Sequence, residues 1–387
     1  MKNLISTLWN PTDFNRLSRR YPAPGFRQEG VEPLFYDGPP RQGRPTRVFA
    51  WYGHPADASA AHPVPGIVLI HGGGATALAD WVRLWNARGF AAIAMDNCGG
   101  VPGWSPNPYS RPEWPRHAHS GPAGWGRLEE SGLPPQEQWM YHAVTSVLNA
   151  RTLLASFPEV DASNIGWTGI SWGAVIGCIA AGLVPEFRFA IPVYGCGLWN
   201  MPESNLTGHG ETGPQREEWF RLWDPAHYLP GATTPFLWLT DAEDAPFPLS
   251  AWLRSSRIPA GPNFRSLRID YPHDHTRCWS SGTIFDFAES VIAGAPLPGW
   301  EPPQQAGGTI SAAFTPADRR IEAAELCFTR GAGCWQDRRW HAVPAMAGAN
   351  LVEAELPPLV RAAFLRIRDD RGSLWSSDVL EWELQVS

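Results

Sequence analysis

A doubly wound, mainly parallel α/β sheet followed by a small all-β module is the fold the sequence predicts, and three patterns carry it. Strand-like and helix-like segments alternate from about residue 66 to residue 293, the signature of a parallel sheet with helices on both faces. Two strand-like runs, Gly66-Ile67-Val68-Leu69-Ile70 and Phe90-Ala91-Ala92-Ile93-Ala94-Met95, are apolar throughout, as strands covered on both faces must be. Beyond Gly299 the pattern changes to short β-rich segments.

The elements follow in order. Two β-like segments, 31–36 and 46–53, are joined by a Gly/Pro loop and precede the first buried strand at 66–70, which runs into His71-Gly72-Gly73-Gly74-Ala75. A helix is predicted over 79–88 and a second buried strand over 90–96. Met140, Ala143, Val144, Val147, Leu148 and Leu154 recur at helical spacing over 138–157, before Pro158. Strands at 164–168, 189–194, 235–240 and 265–271 alternate with helices at 174–181, 249–256 and 283–293. Residues 301–308, with two prolines and two glycines, read as a linker between a catalytic unit (1–300) and a module at 309–387. The module's β segments, 322–330, 350–355, 361–367 and 379–386, suit a small antiparallel, immunoglobulin-like sandwich. One stretch, 98–136, has no period. It is crowded with Gly, Pro and aromatics, follows a strand's carboxyl end, and reads as a lid-like insertion that walls a substrate pocket.

Composition narrows the classes. At 387 residues, 43% hydrophobic and 18% charged, the chain is globular and long enough for one large unit and a small one. A formal net charge of −7 argues against a nucleic-acid or anionic-membrane partner. The longest apolar stretch, 174–184, is too short to span a bilayer, and the first residues lack a signal peptide's apolar core, so a cytoplasmic location is expected. Six cysteines without C-x-x-C spacing read as reduced, mostly buried thiols, with a Cys327 to Cys334 bridge as the alternative. No Cys or His set has the spacing of a tetrahedral metal site, so no metal is expected.

The chemistry is concentrated at Gly169-Ile170-Ser171-Trp172-Gly173, which stands between a strand-like and a helix-like segment. A serine on such a turn is exposed at the strand's end, beside the N–H groups of a helix N-terminus. The flanking glycines tolerate the turn's dihedrals and let strand and helix approach. Serine is a weak nucleophile until a base takes its proton, so an acid and then a histidine must follow, each after a strand. Thr240-Asp241-Ala242-Glu243-Asp244-Ala245-Pro246 offers three carboxylates. Asp244 is the expected acid, because a few turn residues separate it from the strand end, and Asp241 and Glu243 then read as solvated turn residues. The base is sought in Pro272-His273-Asp274-His275-Thr276. His275 is preferred for its reach, with His273 as the alternate. The N–H groups of Trp172 and of Gly73 or Gly74 are the expected oxyanion donors. His71 reads as a loop brace, and His117, His119, His142 and His227 as surface or insertion residues. Twenty-one tryptophans suit either stacking on sugar faces or bracing loops and seams; Trp104 and Trp125, in the insertion, are the expected substrate contacts.

The segment from Asp161 to Gly173, with Val193-Tyr194-Gly195-Cys196-Gly197, Leu237-Trp238-Leu239-Thr240 and the His-x-His loop, resembles bacterial α/β-hydrolases of the acetyl xylan esterase and dienelactone hydrolase-like kind. The similarity covers roughly 31–293, and the tail is similar to a β-module found in some members. The resemblance implies a serine esterase that works without a cofactor. An acetyl or other small acyl group on a carbohydrate, or a similar small ester, is the expected substrate. Two departures stand out: Asp241 replaces the glycine expected before the acid, and Ala174 stands where a further glycine is common. A prolyl-oligopeptidase-type peptidase shares the order of the three residues, but no propeller or repeat accompanies it here. An inert core carrying a carbohydrate-binding module is the non-enzymatic alternative.

Overall fold

The computed structural model describes residues 7–9, 14, 17–103, 114–124, 130–200, 213–274 and 278–382. A nine-stranded sheet forms the centre, in the order β1-β2-β3-β5-β4-β6-β7-β8-β9. Its strands are β1 (Arg20–Pro22), β2 (Glu32–Arg41), β3 (Arg44–Gly53), β4 (Val64–Ile70), β5 (Ala91–Met95), β6 (Val160–Ile170), β7 (Ala190–Val193), β8 (Phe236–Asp241) and β9 (Asn263–Arg268). The first three strands form an antiparallel edge that joins β5, and from β5 to β9 every pairing is parallel.

The two apolar runs are explained by this layering. In β4, Ile67 and Leu69 enter the apolar cluster on one face while Val68 and Ile70 enter the cluster on the other; in β5, Ala92 and Ala94 oppose Ala91, Ile93 and Met95. Helices α1 (Ala79–Asn86) and α6 (Gly282–Ala293) cover the first face. Helices α2 (Trp139–Leu154), α3 (Trp172–Leu183), α4 (Pro214–Trp223) and α5 (Leu249–Ser255) cover the second. α6 stops where Gly294 takes φ +65°, and the N–H groups of Gly294 and Ala295 close back on the helix's last carbonyls. Among the described residues no helix is long and apolar enough to cross a membrane.

The chain beyond α6 folds into two antiparallel sheets. One holds β10 (Gly299–Trp300), β11 (Gln304–Ala306), β12 (Thr309–Thr315), β15 (Met346–Ala347) and β16 (Leu351–Glu355). The other holds β13 (Ile321–Thr329), β14 (Trp340–Pro344), β17 (Ala362–Asp369), β18 (Leu374–Ser376) and β19 (Leu380–Glu381). The segment 301–308, expected as a linker, contains β11, which pairs with β12 through a hairpin that Gly307 turns at φ +59°, and β10, inside the range expected for the catalytic unit, pairs with β12 as well. Composition marked the turn glycines and prolines there but not the strand between them.

The module is built onto the sheet rather than appended to it. Leu326, Phe328, Leu365 and Ile367 pack with Ile310, Phe314 and Val352 of the facing sheet, while the alternate residues Cys327 and Phe364 join the cluster under α4 and α5. β18 lies along β9, the last strand of the central sheet, and the Leu267 N–H donates to Ser376 Oγ at 2.9 Å. An otherwise open sheet edge is thereby covered. Buried Arg319 bridges Asp286 of α6 and Asp369 of β17 and donates to Ser290 at 2.9 Å. All six cysteines are unbridged, five of them buried.

Candidate active site

β4 and β6 are neighbours, with Ile70 opposite Gly169, so the glycine loop after β4 and the serine turn after β6 lie side by side at the sheet's carboxyl edge. Ser171 has φ +55° and ψ −118°, a conformation costing a non-glycine residue on the order of 1–3 kcal/mol and held only where its surroundings enforce it. Here its N–H donates to the Val193 carbonyl at 2.8 Å and its carbonyl accepts from Ala174 at 2.9 Å, the first bond of α3. The flanking glycine Gly173 is a steric requirement: a Cβ there would overlap the carbonyls of Ile70 and His71.

The glycine loop is braced from beneath. His71 is buried; its Nδ1 lies 2.9 Å from the Gly72 carbonyl, and its Nε2 accepts the Asn97 N–H at 3.1 Å, which puts the proton on Nδ1. Asn97 Nδ2 donates to the His71 carbonyl at 2.8 Å. Gly74 has φ +79°, and its carbonyl accepts from Trp114 Nε1 at 3.0 Å, so the insertion reaches the loop. Gly73 is half-buried between buried neighbours.

Among the described residues, His71, Asp96 and Cys98 form one group whose ligand atoms lie within 4.8 Å of one another. Those atoms are already engaged: Asp96 accepts from Thr76 Oγ1 at 3.0 Å and from the N–H groups of Cys98 and Gly100 at 2.9 and 2.8 Å. The group is a hydrogen-bond knot under the loop.

Asp244 and His273 meet at 2.7 Å between Oδ2 and Nδ1. Asp244 is buried, which pushes its carboxyl above the usual carboxylate range, although the hydrogen bond to His273 pulls it back. Its Oδ1 accepts the Phe247 N–H at 2.7 Å. The His273 ring rests 4.7 Å from the Tyr194 ring, and Phe247 lies parallel to it within 7° at 6.2 Å. Tyr194 follows β7, the strand next to β6, and its hydroxyl donates to the Pro272 carbonyl at 2.9 Å. The loop after β9 is thus drawn back past β8 onto the side chain of Tyr194, which follows the strand next to the one that leads into Ser171.

Of the residues singled out above, Ser171, Trp172, Gly73, Gly74, Asp244 and His273 gather at this one edge. His275, Trp104 and Trp125 lie outside the described residues. His142, expected at the surface or in the insertion, is buried in α2, and burial pushes its imidazole down to about 4. Asp241, expected as a solvated turn carboxylate, is buried as well. Tyr194 and Phe247 frame the histidine without having been expected; Tyr194 carries φ +58°, a strain that no sequence pattern reveals. Most tryptophans brace the core, and Trp139, Trp199 and Trp219 pack edge-on around Trp172, beside the serine.

The fold is that of an α/β-hydrolase. Residues 34–199 match the model of the acetyl xylan esterase family (AXE1), the family that the sequence motifs resemble. Among solved structures, an acetyl xylan esterase from Paenibacillus sp. R4 is similar at 21% identity and a TM-score of 0.54, covering 75% of this chain and 92% of that one. Acetyl xylan esterase 1 from Thermoanaerobacterium sp. JW/SL YS485 is similar at 16% identity and a TM-score of 0.53, over 75% and 93%. At these identities the likeness is one of fold. No curated protein sequence matches the chain.

Proposed function

We propose that the protein is a carboxylic-ester hydrolase working through an acyl-enzyme, and that it removes an acetyl or similarly small acyl group from an acylated carbohydrate. The observation that carries the reading is the 2.7 Å contact of His273 Nδ1 with buried Asp244, at the same sheet edge as a serine held at positive φ on a strand-to-helix turn. In the neutral imidazole the Nδ1–H donates to Asp244, which leaves Nε2 as the base. Ser171 Oγ attacks the acyl carbon as its proton passes to His273 Nε2, and the N–H groups of Trp172 and of Gly73 or Gly74 receive the oxyanion. Collapse expels the alcohol with the proton from His273. Water, deprotonated by the same nitrogen, then releases the acid and restores the serine.

His273 takes the role of base in this reading because it holds the acid. The carbohydrate part is supported by the family match over 34–199. A net charge of −7 favours a small neutral ester over nucleic acid or an anionic membrane as partner. The test is hydrolysis of p-nitrophenyl acetate and of acetylated xylo-oligosaccharides by the wild type and Ser171→Ala. Turnover of both classes by the wild type and of neither by the variant is expected; turnover retained in Ser171→Ala would refute the reading.

A further inference from the structure

Asp241 ends β8 where the resemblance implies a glycine, and its carboxylate is almost fully buried. One oxygen accepts the Glu243 N–H at 2.8 Å, in the turn that leads to Asp244. The other accepts the Tyr271 N–H, in the loop that leads to His273. The Asp241 carbonyl also accepts the Asp244 N–H at 3.2 Å, and Ala242 N–H pairs with the Arg268 carbonyl at 2.7 Å. One side chain therefore grips both loops, one residue ahead of the acid and two ahead of the histidine. A glycine could make neither side-chain bond.

The far side of the same turn is held by the β-module. Glu243 accepts the Trp340 N–H at 3.2 Å and meets Arg339 at 3.2 Å.

The position is costly to occupy with a carboxylate. Burial pushes Asp241 up to about 6, and the neighbouring charges of Glu243 and Asp244 add to this, against the two N–H bonds. The other ionisable groups around it are Asp270, Tyr271 and His273 of the histidine loop, Arg268 of β9, whose guanidinium lies 4.6 Å over the Tyr271 ring, and Tyr194, which follows β7. A charge kept in such surroundings, with both oxygens spent on two converging loops, points to a task that a neutral residue does not perform.

We infer that Asp241 is a positioning residue for this centre: by tying the turn of Asp244 to the loop of His273 it sets the alignment on which proton transfer from Ser171 depends. The inference rests on the esterase reading and deepens it. A carboxylate has two acceptors, asparagine one and glycine none, so the effect is graded.

The experiment compares Asp241→Asn and Asp241→Gly with the wild type. It measures kcat and KM on p-nitrophenyl acetate across pH, the rate of fluorophosphonate labelling, and the downfield proton resonance of the Asp244–His273 hydrogen bond. KM should hold while kcat and labelling fall, by about a hundredfold for the glycine variant and less for asparagine, the scale of a small misplacement of reacting groups. The downfield resonance should shift or broaden in the same order. Wild-type kcat in both folded variants, or an unmoved resonance, overturns the proposal. Loss of folded protein in both overturns it too, because Asp241 is then a residue of the fold alone. Ser171→Ala and His273→Ala run alongside: retained turnover in them overturns the esterase reading and this inference with it, whereas their inactivity beside unaffected Asp241 variants overturns the inference alone.

Discussion

Two histidines face buried aspartates at the carboxyl edge of the sheet, and they are built for different tasks. His273 presents Nδ1 to Asp244 at 2.7 Å, and its side chain keeps 17% of its surface open. His71 has Nε2 3.6 Å from Asp96, only 2% of its side chain exposed, and that same nitrogen accepts a backbone N–H at 3.1 Å. A general base needs a lone pair within reach of a substrate proton. His71 has spent its lone pair on Asn97, so its ring is a strut. The lesson is that a His–Asp contact alone does not make a base; which nitrogen faces the acid, and what the other one meets, decides.

The comparison breaks most sharply by deleting each ring. If the proposed esterase mechanism holds, His273→Ala should lower kcat on p-nitrophenyl acetate by about 10⁴-fold or more, as loss of the histidine does in Ser-His-Asp hydrolases. The fold should persist, because the ring is partly open and its loop is anchored through Tyr271, with the stability cost confined to the partner that buried Asp244 loses. His71→Ala should do the reverse. It leaves the buried Asn97 N–H without its acceptor and should cost about 1–3 kcal/mol of stability, read from urea midpoints, while folded enzyme keeps measurable turnover. Equal kinetic losses in the two variants would erase the distinction between strut and base.

A second contrast lies between stability and activity at Asp241. Its carboxyl is raised to about 6 by burial, so the folded state binds this proton more tightly than the unfolded chain does. The sign follows: the group's contribution to stability is best at low pH and declines as pH rises from about 4 to about 6, and ionisation at neutral pH costs about 3 kcal/mol. Asp241→Asn does not ionise. Its stability relative to the wild type should therefore improve as pH rises from 5 to 7.5, measured as the difference between urea midpoints, even as its turnover falls short. A pH-independent difference would mean that the carboxylate does not titrate in this window.

What could be read in the sequence follows from how local each signal is. The unbroken apolar runs of β4 and β5 announce burial on two faces, and the serine turn is announced by the strand and helix that bracket it. The expectation of an acid at Asp244 follows from its offset beyond β8. The choice between His273 and His275 does not, because a loop has no period, and the contact with Asp244 depends on a path over β8 and Tyr194 that only the fold defines. Asp241 looked like a turn carboxylate since turn composition is polar whether the side chain points out or in. α4 was missed because its buried residues, Trp219, Phe220, Leu222 and Trp223, crowd its last turns instead of repeating along it. The β11 hairpin was hidden by the same prolines and glycines that make it possible.

The finest test concerns how the strut acts on its loop. Trp114 Nε1 donates to the Gly74 carbonyl at 3.0 Å, above the glycines that His71 braces from below. Trp114→Phe removes that donor and keeps most of the ring, so the loss is one hydrogen bond, about 1 kcal/mol. If the bond orients a donor toward the oxyanion, kcat should fall several-fold, up to the roughly fivefold that 1 kcal/mol allows, with thermal stability nearly constant. If it serves only to seat the insertion, stability should drop by that amount and kcat should stay. Parallel measurement of kcat and urea midpoint separates the two, and the first outcome would extend the strut's role from His71 to the insertion.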